Sequence, residues 1–181
     1  MPVTWAEAEA GDREELMAFV CANPSKHSYD KHRGRYHPSP WALEVQSQIR
    51  NLEPPVARRR EWLSIGRDPV GIAAVIHYGL DDEKEQFIIL AVARAERCAS
   101  AGYGRVALVN TINHLTFLKV VDGRDCGVFT RVDPRNRSSQ RMFEQAGFLN
   151  LGGDNHYETW VHALPLDSLD SSGKDNVWPG S

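Results

Sequence analysis

Residues 97–108 read RCASAGYGRVAL, with Gly102 and Gly104 flanking an aromatic just ahead of an apolar run. Unpaired backbone N–H groups at a helix N-terminus carry partial positive charge and attract anions, phosphates above all. A Cβ at either glycine would hold a phosphate oxygen off those donors. The same spacing also suits a plain strand-to-helix turn, so the dipeptide pattern alone leaves both readings open. A second chemistry-bearing stretch, residues 26–37, sets Lys26, Lys31, Arg33 and Arg35 against one acid, Asp30, with His27, His32, His37, Tyr29 and Tyr36 interleaved. Basic groups contact phosphates and aromatics stack on bases, which suits an anionic acceptor such as RNA; a solvated surface loop has the same composition. Histidines spaced by five residues match no established ligand pattern, and no metal is expected.

Behind these stretches stands a chain of 181 residues, 41% hydrophobic and 25% charged, enough for one domain with a sizeable core. The net charge of −3 excludes a generic polyanion binder, so any nucleic-acid contact must be local. Cys21, Cys98 and Cys126 are odd in number and unclustered, against a disulfide framework or zinc site. No apolar run approaches the roughly 20 residues of a membrane helix. The opening MPVTWAEAEAGDREE is acidic where a signal peptide would be basic, then apolar. A soluble, cytoplasmic protein without a membrane partner is expected.

Alternating elements must position the two stretches. Val3 to Ala8 reads as a strand, and Asp12 as the N-cap of a helix carrying Leu16, Phe19 and Val20, with Glu15 at the capping-box position and an end near Asn23-Pro24. Residues 25–40 hold Gly34, Pro38 and Pro40 without a sustained period, predicting a loop; Pro40 or Trp41 then opens a helix through Leu52. Glu61 to Ile65 and Gly71 to Tyr78 form a hairpin about Arg67-Asp68-Pro69. QFIILAVA, residues 86–93, is apolar on both faces, as a central covered strand should be. Leu108, Val109, Ile112, Leu115 and Leu118 recur at helical spacing after Gly104. Cys126 to Val132 predicts another buried strand, Ser138 to Ala146 a short helix closed by Gly147, and Phe148–Leu151 with Tyr157–Leu164 a last hairpin. Residues 165–181, rich in Ser, Asp and Gly, read as a disordered tail.

NRSSQRMFEQAGF, residues 136–148, follows a buried strand, and together with LAV…AGYG it resembles the GCN5-related N-acetyltransferase (GNAT) superfamily from about Val3 to Leu164. The resemblance implies an α/β fold with a mixed sheet of about seven strands and about four helices. That sheet would be splayed between its fourth and fifth strands, with acetyl-coenzyme A in the opening. It implies that Leu90, Ala91 and Val92 bond the pantetheine arm through main chain. Arg97, Ala99, Ala101, Gly102, Tyr103, Gly104 and Arg105 would border the pyrophosphate, and Asn136, Ser139 and Phe143 the thiol end. The sequence departs from the family where Ala99 replaces the usual Arg or Gln, with Arg97 the nearest substitute. Residues 92–102 form a slightly long segment expected to bulge outward. Phe143 replaces the tyrosine that in many members protonates the departing thiolate, and phenylalanine has no proton to give.

The implied chemistry is attack of an amine, on a small molecule or a peptide, on the acetyl thioester. A lysine amine with a pKa of about 10.4 costs roughly 4.6 kcal/mol to deprotonate at pH 7, and an α-amine near 8 only about 1.4. A base therefore matters most for lysine-like acceptors. Glu85 at the start of the central strand is one candidate, against an exposed strand-end charge. His77 is another, against a buried hydrogen-bonded histidine. Tyr157, next to His156 on the last hairpin, could replace the missing tyrosine or merely pack on the sheet edge. Phe143 and the lack of an obvious base also leave open a catalytically silent acyl-coenzyme A binding or protein-interaction module. If residues 26–37 grip RNA, binding should weaken steeply between low and physiological salt in a filter or fluorescence titration, and a flat salt response would exclude it.

Overall fold

The computed structural model describes residues 3–55, 60–81, 83–154 and 156–164. Runs of β-branched and aromatic residues make the sheet: β1 (Thr4–Glu7), β4 (Glu61–Asp68), β5 (Gly71–Asp81), β6 (Gln86–Arg94), β7 (Val128–Val132), β8 (Leu149–Gly153) and β9 (Glu158–His162). They pair in the order β1-β4-β5-β6-β7-β9-β8. All contacts are antiparallel except β6 with β7, joined by the crossover helix α3 (Tyr103–Val121). Together with α1 (Arg13–Met17), α2 (Pro40–Arg50) and α4 (Arg137–Gln145), this is the expected α/β architecture of seven strands and four helices.

Each face of the sheet is covered. On one, Leu108 and Leu115 of α3 and Phe143 of α4 pack on Ile76, Tyr78, Phe87, Ile89 and Val128. On the other, Leu16 and Phe19 from the α1 region and Ile49 of α2 pack on Leu63, Ile65 and Val75. The doubly apolar central strand follows from this double cover.

Two local expectations are corrected. The first helix is one turn, preceded by a 3-10 turn at Ala10–Asp12, and its capping box joins Glu9 with Asp12. Glu15 is drawn instead to the β4–β5 hairpin: it accepts from the Ile72 N–H at 2.6 Å and from Arg67, which also donates to Asp12 at 2.7 Å. Charge-assisted partners on the sheet outbid the helix's own first turn. Residues 25–40 hold a two-stranded hairpin, β2 (Ser28–Asp30) with β3 (Gly34–Tyr36). Side-chain and backbone turn chemistry makes it: Asp30 Oδ1 accepts from the His32 and Arg33 N–H groups, and Gly34 takes φ +67°. The expected tail, residues 165–181, lies outside the described residues.

Burial lowers the pKa of His77, His114 and His162 below the ordinary 6.5, although Glu61 opposes the shift at His77. The unfolded chain therefore binds more protons than the native one once these groups titrate. This contribution to stability is present above about pH 6.5 and is lost as pH falls through the lowered native values. Urea unfolding is expected to give a falling stability from pH 7 to 5, and a level profile would contradict the burial of these rings.

Candidate functional site

The site begins where two strands part. β6 and β7 share three paired positions, Phe87–Val128, Ile88–Phe129 and Ile89–Thr130. Thr130 Oγ1 donates to the Ile89 carbonyl at 2.9 Å, reinforcing the last of them. Beyond it, β6 runs on to Arg94 without β7 beside it. Against β5, Ile89 pairs with Tyr78 and Ala91 with His77, so Leu90 is the extra residue of a bulge. The bulge switches which face successive residues occupy. Phe87 and Ile89 point to the α3–α4 core, Val92 joins that core, and Ala93 joins the other. Leu90, Ala91 and Val92 thus line an open cleft floored by β6, between α2 on one side and α4 on the other.

One end of the cleft is the N-terminus of α3. Gly102 is its N-cap, with φ 75°, and an added Cβ there would meet nothing within 4 Å, so conformation rather than space requires glycine. A Cβ on Gly104 would lie 3.3 Å from Met142 Sδ and 3.9 Å from Val92 Cγ1. This glycine lets α4 close on the first turn of α3. The Gly102 carbonyl accepts from the Arg105 and Val106 N–H groups, which leaves the donors ahead of them directed along the helix axis. Arg94, Arg105, Arg137 and Arg141 line a recess of about 620 Å³ at this end. Such a concentration of guanidinium groups beside a helix N-terminus favours phosphate oxyanions.

At the other end, between β6 and β7, lies a recess of about 270 Å³ lined by Leu90, Thr130, Phe143 and Tyr157. Asn136 caps α4, accepting from the Ser139 N–H at 3.1 Å and donating through Nδ2 to Ser139 Oγ at 2.8 Å. Phe143 is buried edge-to-face against Phe148, centroids 5.0 Å apart. Tyr157 donates its hydroxyl to Glu44 Oε1 at 2.8 Å, reaching from the β8–β9 hairpin to α2. That bond to a carboxylate, with burial second, raises the tyrosine's pKa. Arg131 stacks over its ring at 4.8 Å.

Of the residues singled out in the sequence, Leu90, Ala91, Val92, Ala99, Gly102, Gly104, Arg105, Asn136, Ser139, Phe143 and Tyr157 line the cleft. Others are placed elsewhere. Arg97 grips Asp68 through bonds of 2.6 and 2.9 Å and also donates to the Gly71 and Ile72 carbonyls, because the β4–β5 turn offers it a carboxylate. It substitutes for no residue of the glycine loop. Tyr103 packs with the α1–α2 core, and Ala101 is exposed outside the cleft lining. Glu85 is exposed at φ 51°, in the turn before β6 and at the far end of that strand from Arg94, and it lines none of the cleft. His77 is buried and shares a 2.8 Å hydrogen bond with Glu61. His156 is exposed, its N–H held by Asp154.

Sequence reading missed Arg94, Arg137, Arg141, Trp41 and Glu44. Arg137 and Arg141 carry a legible signal, an i, i+4 pair on one helical face. Glu44 carries none, because its importance comes from a partner 113 residues away. Lys26 and His37, flanking the β2–β3 hairpin, also reach the cleft lining, but the histidines of that segment do not converge. His37 is engaged by the Asn23 carbonyl and the Ser39 N–H. Among the described residues, no three His, Cys, Asp or Glu side chains form a group that could hold a metal ion. Among them too, no helix is long and apolar enough to cross a membrane.

Neither a family model nor a curated protein matches the sequence. Solved structures do resemble the chain. The PaiA N-acetyltransferase from Thermoplasma acidophilum, in complex with coenzyme A, superposes with a TM-score of 0.66 at 11% identity, covering 90% of this chain and 99% of that one. Nourseothricin acetyltransferase gives 0.60 at 12%, covering 91% and 100%. A mutant AtaT toxin, bound to the C-terminus of the antitoxin AtaR and to acetyl-CoA, gives 0.61 at 12%, covering 90% and 93%. The splayed mixed sheet, its bulged central strand and this likeness define the fold as that of the GNAT acetyltransferases.

Gly102→Ala is expected to lower stability by about 1–2 kcal/mol, because a Cβ opposes the left-handed conformation. Urea unfolding of the variant checks this, and unchanged stability would contradict the conformation of the helix start.

Proposed function

We propose that the protein is an N-acyltransferase that moves the acetyl group of acetyl-CoA to an amine by direct attack. The observation that carries this reading is the junction of two features in one cleft: the arginine-lined N-terminus of α3 and the bulged edge of β6, which no strand of the described residues pairs beyond Ile89. The first suits a pyrophosphate, and the main-chain groups of Leu90, Ala91 and Val92 suit the amides of a pantetheine arm laid along the strand. Coenzyme A and acetyl-CoA in solved structures of this fold support the choice of donor. A donor held along β6 would carry its thioester toward the recess lined by Phe143 and Tyr157. A main-chain N–H at the Leu90 bulge would stabilise the oxyanion, and holding both reactants in one cleft replaces a bimolecular encounter.

With Phe143 in place of a tyrosine, the phenolic hydroxyl lining this end of the cleft is that of Tyr157, and it is directed at Glu44. The acceptor is read as the amine of a small molecule or peptide. An RNA-borne amine is a second reading, supported by Lys26 and His37 in the cleft lining and by Tyr29, 80% exposed and so free to stack.

Acetyl-CoA at about 100 times its Kd is expected to stabilise the protein by roughly 2.7 kcal/mol, seen as a raised melting temperature. Thiol release should accompany it in the presence of a suitable amine. Gly104→Asp sets a carboxylate against the pyrophosphate and should remove the shift. Arg141→Glu on the exposed side of α4 should weaken it without crowding Met142. A shift without thiol release from any amine would favour the silent module, and no shift at all would overturn the donor assignment.

A further inference from the structure

The recess at the β6–β7 end is lined by two carboxylates, Glu44 and Asp133. They are not equivalent. Asp133 receives two bonds from the Arg135 guanidinium, at 2.9 and 2.6 Å, and one from the Arg135 N–H at 2.8 Å. Arg135 thereby lowers the Asp133 pKa and occupies its charge. Glu44, on the exposed side of α2, has no ion pair among the described residues. One oxygen, Oε1, accepts from Tyr157, and the other carries no bond within the described structure.

Tyr157 holds Glu44 from a fixed base. Asp154 Oδ1 accepts the Tyr157 N–H at 2.8 Å, and Arg131 covers the ring. The carboxylate is thus held across the cleft mouth with an oxygen to spare. Resting on the acyltransferase reading, we propose that Glu44 binds the acceptor as an ammonium and is the base that deprotonates it, with Tyr157 as its positioning residue. The preferred acceptor is then a basic primary amine, cationic at neutral pH, rather than one that arrives uncharged.

The step balances as follows. The ammonium gives one proton to Glu44, and the freed nitrogen lone pair forms the C–N bond to the thioester carbonyl carbon. The C–S bond breaks with its electron pair on sulfur, the second amine proton ends on that sulfur, and Glu44 returns the first to solvent. Amide, thiol and one proton leave. The charged and titratable groups around Glu44 are Tyr157 from the β8–β9 hairpin and Arg131, Asp133 and Arg135 from β7 and the segment after it. Arg131 and Arg135 are already engaged, by the Tyr157 ring and by Asp133.

The test compares Glu44→Gln with wild type on two kinds of nucleophile. One kind is protonated at pH 7: short diamines and lysine-bearing peptides. The other is hydroxylamine, which is neutral there. The variant should keep the acetyl-CoA melting shift. Its kcat/KM with the best protonated amine should fall about 100-fold or more, while hydroxylamine stays within about threefold. The gap should narrow as pH approaches the amine's own pKa of about 10. Equal losses on both nucleophiles, no loss on either, or wild-type turnover of hydroxylamine alone would each overturn the role of Glu44 and leave the donor assignment standing. A wild-type protein unshifted by acetyl-CoA would overturn both.

Discussion

Everything in this protein depends on how short the parallel ladder between β6 and β7 is. Three paired positions, reinforced by the Thr130 hydroxyl on the Ile89 carbonyl, suffice to join the two halves of the sheet. They also end early enough to leave that edge of β6 unpaired among the described residues. An interior strand edge without a neighbour is normally a liability, since its N–H and C=O groups need partners. Here it becomes the floor of a cleft. The bulge at Leu90 turns the strand as the ladder stops, so that the residues beyond it keep their apolar faces on both cores while the backbone edge faces the opening.

The outer parts serve to fix the two walls of that opening. Arg97 and Asp68 tie the segment between β6 and α3 to the β4–β5 turn, and the guanidinium holds the Asp68 carboxyl down to about 2. The extra residues before Gly102 therefore fold into a pinned 3-10 turn at Glu96–Cys98, and the N-terminus of α3 keeps a fixed origin. On the opposite wall, Asn136 caps α4, and Met142 comes down onto Gly104. α2 is held through Gln46, whose Oε1 accepts from the Cys21 and Ala22 N–H groups. Only one described side-chain hydrogen bond, Tyr157 to Glu44, joins α2 to the β8–β9 side of the mouth. It lies at the surface, where exchange with solvent is easiest.

Much of the fold was legible because periodicity reports directly on which face is buried. QFIILAVA could only be a doubly covered strand, and the apolar spacing of Leu108, Ile112 and Leu115 only a helix lying on a sheet. The glycine loop was legible for a similar reason: Gly102 takes a conformation that other residues resist, and the residue type records it. Turn and cap chemistry was harder. Asp30 organises the β2–β3 turn within a segment that reads as a loop, and Glu15, which has a plausible local role as a cap, is claimed by a distant partner on the sheet.

By itself, the sequence determined the order of the elements of the main sheet and its helices, the central strand and the two glycines of the helix start, but not the β2–β3 hairpin, since the former depend on neighbours within a turn or two. The charges were decided elsewhere. Whether Arg97 reaches a cleft or a carboxylate, whether Glu85 or Glu44 stands at the mouth, and which arginines gather at α3 depend on contacts between segments far apart in the chain. An exposed charge leaves no periodic trace, because water accepts it in almost any local structure. Its partner is fixed only when packing brings two distant surfaces together.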